Sequence, residues 1–170
     1  MIKYFIFSLF ICLFLLSCKS SNDSGKCLTG EPRAIFDKNM QIVSSHNFTK
    51  NGQQSSEQIH MKNGVNLEIF QQGCDTLFQS FRFHYPNKIA QDSFKVSIDS
   101  AINQFKYLSY SEEQLKPFSL WSNALTQVKD QLIQGEYSDL GNGVSLKIDK
   151  IEQADGSNII IDVRQIAHKK

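Results

Sequence analysis

Between Glu57 and Tyr85 the chain alternates apolar and polar residues. Ile59 and Met61 stand between polar neighbours, Asn63-Gly64 follows, and Val65, Leu67 and Ile69 then fall on one side of an extended segment. Strand side chains point to opposite faces in turn, so a period of two marks a half-buried strand. Asn-Gly between two such runs signals a tight hairpin, because both residues accept positive φ. Gly73 to Thr76 predicts the next turn. Phe81, Phe83 and Tyr85 alternate again, with Arg82 and His84 on the opposite side, and Pro86-Asn87 ends the run. Three antiparallel strands are expected here. Upstream, Ile35-Phe36, Met40, Ile42-Val43 and Phe48 fit either one strand or a short helix.

The period then lengthens. Phe94, Ile98, Ala101, Ile102 and Phe105 recur at helical spacing, with Asp92 or Ser93 as the candidate N-cap. A second helix carries Leu115, Phe118, Trp121 or Ser122, Leu125, Val128 and Leu132. Ser111-Glu112-Glu113-Gln114 resembles a capping box, Pro117 suits a first helical turn, and Gly135 is placed to end the helix. Strands return at Tyr137 to Leu140, at Val144, Leu146 and Ile148, and at Ile159, Ile161 and Val163, with Gly141-Asn142-Gly143 and Asp155-Gly156 turning between them.

Asn63-Gly64-Val65-Asn66-Leu67-Glu68-Ile69 matches Asn142-Gly143-Val144-Ser145-Leu146-Lys147-Ile148 at five of seven positions, 79 residues apart. Either an internal duplication or the shared preferences of tight hairpins accounts for the match. The expected fold class is α+β: an antiparallel sheet of about six strands in the order β-β-β-α-α-β-β-β, with two helices on one face.

The N-terminus reads as an address. Lys3 precedes a run from Tyr4 to Leu16 that is apolar except for Ser8. That run is too short for a bilayer of about 30 Å and has the length of a signal-peptide core. Leu15-Leu16-Ser17-Cys18 resembles the lipobox of bacterial lipoproteins. The resemblance implies that residues 1–17 are removed, that Cys18 is acylated, and that the protein is held in the cell envelope. Lys19 rather than Asp after the cysteine implies the outer membrane more than the inner. Two or three acyl chains anchor firmly where one alone is marginal. Residues 18–32, rich in Ser, Asn, Asp and Gly, read as a flexible tether, and 33–170 as one domain.

Cysteine parity agrees with that reading. Of Cys12, Cys18, Cys27 and Cys74, the first leaves with the signal and the second would carry lipid, so Cys27 and Cys74 remain as a candidate disulfide. The loop would be worth about 4 kcal/mol by the chain-entropy formula.

Composition narrows the function classes. Lys and Arg number 18 against 17 Asp and Glu in 170 residues, which excludes a strongly basic nucleic-acid binder and a polybasic membrane patch. No G-x-S-x-G, HExxH, C-x-x-C, P-loop or G-x-G-x-x-G occurs, so the motif-defined enzymes and zinc sites are not expected, nor is a cofactor. Cys74 is the one candidate nucleophile, with His60 or His84 as conceivable bases, but a strand turn does not lower a thiol pKa as a helix N-terminus does. His60, Arg82 and His84 form the candidate binding face; Phe78, Phe81, Phe83 and Tyr85 are read as core. The expected function is a non-catalytic, membrane-anchored protein-binding module of inhibitor, immunity or assembly type. The alternative is a small-ligand or glycan carrier with a pocket between sheet and helices.

Overall fold

The computed structural model describes residues 31–73, 76–86 and 93–166. A seven-stranded antiparallel sheet is built from β1 (Val43–Asn51), β2 (Gln54–Met61), β3 (Asn66–Gln72), β4 (Thr76–Tyr85), β5 (Tyr137–Gly141), β6 (Val144–Gln153) and β7 (Gly156–Ile166), in the spatial order β1-β2-β3-β4-β7-β6-β5. Between β4 and β5 run helix α1 (Phe94–Ser111), a 3₁₀ turn (Glu113–Leu115) and helix α2 (Phe118–Val128).

The strand count is therefore seven rather than six, and the additional strand is β1, which opens the order. Its sequence hid it for a physical reason. β1 is an edge strand, and His46 and Phe48 on its inner side are only half-buried, so no clean apolar alternation was required of it. A bulge between Val43 and Ser45 and the charge of Lys50 blunt that edge.

Register puts Leu67 opposite Phe83 and Ile69 opposite Phe81, and Phe81 opposite Ile161, so the alternating apolar positions converge on one face. The two helices cover that face. Phe105 of α1 meets Phe81 and Phe83 edge-on at 5.4 and 5.2 Å between ring centroids and stacks on Phe118 of α2 at 5.8 Å. Such aromatic contacts contribute beyond the area they bury.

The helices begin where expected, Ser93 preceding α1 and Pro117 preceding α2, but the expected caps and the stop at Gly135 do not form as read. No side-chain hydrogen bond caps α1 at Ser93. The capping box at Ser111 does not form: Ser111 Oγ donates to the carbonyl of Tyr107, while Glu112 Oε1 accepts from the backbone N–H of Gln41 at 2.7 Å. α2 stops at Val128, and Gly135, at φ +80°, serves the approach to β5 by donating its N–H to Ile148.

The two Asn-Gly turns also differ. Asn142 and Gly143 both have positive φ, 54° and 74°, and close a two-residue hairpin. In the earlier turn only Gly64 is left-handed, and Asn63 Oδ1 instead accepts from the N–H of Val65. At the start of β7, Gly156 lies so close to β4 that a Cβ there would sit 2.1 Å from the carbonyl oxygen of Tyr85.

The inner face near β1 to β3 lies beneath a strap formed by residues 32–36. Pro32 and Phe36 are buried, so part of the expected tether boundary belongs to the packed domain. Arg33 accepts a hydrogen bond from Gln71, and Phe36 packs on Phe118 at 5.9 Å. Replacing Phe105 by Ala, at the hub of the aromatic cluster, is expected to cost about 3–5 kcal/mol in urea unfolding without changing the secondary structure by circular dichroism.

Candidate functional site

The face of the sheet away from the helices is open. His60 of β2, Asn66 of β3, His84 of β4 and Asn158 of β7 form one row across it; Gln58, Glu68, Arg82 and Ile160 form the next. Period-two alternation places them there, opposite the apolar set. A shallow depression of about 320 Å³ is lined by Gln58, His60, Asn66, Glu68, Arg82 and His84, among others.

The depression has defined chemistry. His60 Nδ1 lies 2.8 Å from Asn66 Oδ1, and His84 Nδ1 lies 3.1 Å from Asn158 Oδ1. An amide oxygen only accepts, so a neutral ring at either position carries its proton on Nδ1 and presents Nε2 as an acceptor. Neither Nε2 has a hydrogen-bond partner among the described residues. Arg82 Nη1 sits 3.2 Å from Glu68 Oε2, both half out in solvent. His60, Arg82 and His84 thus share one face.

Farther along the same face, Arg164 lies 4.0 Å from the centre of the Tyr137 ring and 6.0 Å from that of Phe78. Phe78 is on this face and half-buried, unlike Phe81 and Phe83, which are core; the expectation for all four aromatics is corrected to that extent. Lys147 bridges Asp162 at 3.0 Å and Asp149 at 3.3 Å. Those aspartates, Asp162 first, hold the Lys147 pKa above its usual value. Burial raises the Tyr137 phenol, with Asp162 adding to the effect.

On the helix side, Glu57 is a fully buried carboxyl. It accepts backbone N–H bonds from Ile35 at 2.9 Å and Phe36 at 2.8 Å, and His46 Nε2 lies 2.8 Å from Oε1. These contacts secure the strap. Asp37, Glu112 and Glu113 border a broad open depression, but Glu112 is engaged by Gln41 and Glu113 by Lys116. That cluster is structural.

Among the described residues, no three His, Cys, Asp or Glu side chains are grouped to hold a metal, and no helix is long and apolar enough to cross a membrane. Cys18, Cys27 and Cys74, and with them the lipid anchor, the disulfide and the thiol nucleophile, lie outside the described residues. The strap and its buried glutamate were missed in the sequence. The only available hint was a lone Glu at an inward-facing position of an alternating strand. No protein-family model, curated protein or solved structure matches the chain.

Burial also raises the Tyr85 phenol. Tyr85, Tyr137 and Lys147 all titrate higher folded than unfolded, so each supports the fold fully below its ordinary value and loses that support as pH rises through its folded value. Stability in urea is expected to decline as pH rises above about 10, and Tyr85→Phe to flatten the decline. An unchanged slope in that variant would assign the alkaline loss elsewhere.

Proposed function

We propose that the chain is a lipid-anchored protein of the cell envelope, held through Cys18, whose domain is a non-catalytic module that binds a protein partner through the open sheet face. The single observation that carries this reading is the depression at His60, Glu68, Arg82 and His84, a built polar surface with two oriented imidazoles and an accessible guanidinium. A face of this kind offers hydrogen-bond acceptors and one partly paired cation. It suits the polar side chains and backbone of a folded partner better than a charged polymer, and the near-neutral chain supplies little long-range steering. If the repeated heptapeptide reflects a duplication rather than shared hairpin preferences, its copies are β2-β3-β4 and β5-β6-β7, flanking the β4–β7 seam.

The anchor and the face face separate tests. Metabolic labelling with a fatty acid is expected to mark the chain and to be abolished by Cys18→Ala. Immobilised protein is expected to retain a stoichiometric partner from envelope extract, and Arg82→Glu combined with His84→Ala to reduce the retained amount about tenfold or more, as loss of a central interface contact does. Capture unaffected by that pair would remove the face from the interaction.

A further inference from the structure

A second surface lies on the helix side of the sheet, independent of the face discussed above. Ile35 of the strap, Gln79 and Phe81 of β4, Gln114, and Pro117, Phe118, Leu120 and Trp121 at the start of α2 enclose a groove of about 340 Å³. Phe81 and Phe118 are buried and form its floor, with Trp121 6.3 Å from Phe81 between ring centroids. Leu120, 67% exposed, stands at the rim.

Three properties specify an occupant. None of the eight lining residues carries a charge, so a charged ligand would lose its hydration without a counter-charge. The side-chain amides of Gln79 and Gln114 have no hydrogen-bond partner among the described residues, which leaves donors and acceptors of both kinds beside an apolar floor. The volume is at the low end for ligand sites and holds on the order of a dozen non-hydrogen atoms. The wall is preorganised as well, since the N–H of Ile35 is fastened to the buried Glu57. We propose that this groove binds a small uncharged molecule with a flat apolar body and an amide or hydroxyl group.

Trp121 is the only tryptophan in the chain, so its single indole N–H resonance reports on the groove directly. The test uses the purified ¹⁵N-labelled chain and three molecules of nearly equal shape: benzamide, benzoate and benzamidinium. Benzamide is expected to shift the Trp121 indole and the Gln79 and Gln114 amide resonances, with the roughly millimolar affinity of a fragment. The two ions should bind about tenfold more weakly. Gln79→Met and Gln114→Met keep length and apolar reach; each is expected to weaken benzamide binding about three- to tenfold with unchanged circular dichroism. No shift at Trp121 with benzamide would overturn the proposal. So would equal binding of all three molecules, which would indicate a nonspecific apolar surface of the kind that receives a partner's side chain. Binding that ignores both Gln variants would overturn the assigned hydrogen-bonding group.

Discussion

A carboxyl group with no exposure is the constraint around which one end of this domain is arranged. Glu57 faces inward from β2 in the same alternation that buries Ile59 and Met61. Burying a carboxylate is costly unless donors replace its water, and here the backbone of Ile35 and Phe36 and the ring of His46 do so. The replacement fixes a segment that has no regular secondary structure. With the strap held, Phe36 can reach Phe118, Ile35 can wall the groove, and the half-covered side of β1 to β3 is closed. A single apolar residue at position 57 would satisfy the sheet but would leave the strap without the bonds to Ile35 and Phe36, held only by Gln71 and the packing of Phe36.

The two faces of the sheet accordingly do different physical work. The inner face centres on an aromatic cluster in which Phe105 and Phe118 join both helices to β4. The outer face is polar and internally paired: imidazoles to amides, Arg82 to Glu68, Lys147 to two aspartates. Such pairing limits the cost of leaving the face in water while holding individual side chains in defined orientations. A surface prepared in that way can receive a partner with less ordering than a set of free side chains would need.

Legibility in the sequence followed how completely each position was governed by local period. β2, β3, β4, β6 and β7 carry an inward apolar residue at every second position over most of their length because one face is buried under helices, and that recurrence made their positions readable. The helices were readable by their apolar recurrence, and so were their starts at Ser93 and Pro117, but the capping was not, because Ser111 turns back to Tyr107 and Glu112 accepts a backbone N–H 71 positions away. β1 escaped because an edge strand under a strap needs few apolar residues.

The amino-acid sequence by itself determined an α+β chain of alternating strands around two helices and a near-neutral charge. Each follows from composition or from neighbours within a few residues. The tertiary structure alone decided that β7 returns between β4 and β6, that Glu57 joins Ile35 and Phe36 from more than twenty positions away, and that Ile35, Gln79 and Trp121 border one groove. Those arrangements depend on contacts between segments distant in the chain, and no local period encodes which distant segments will meet.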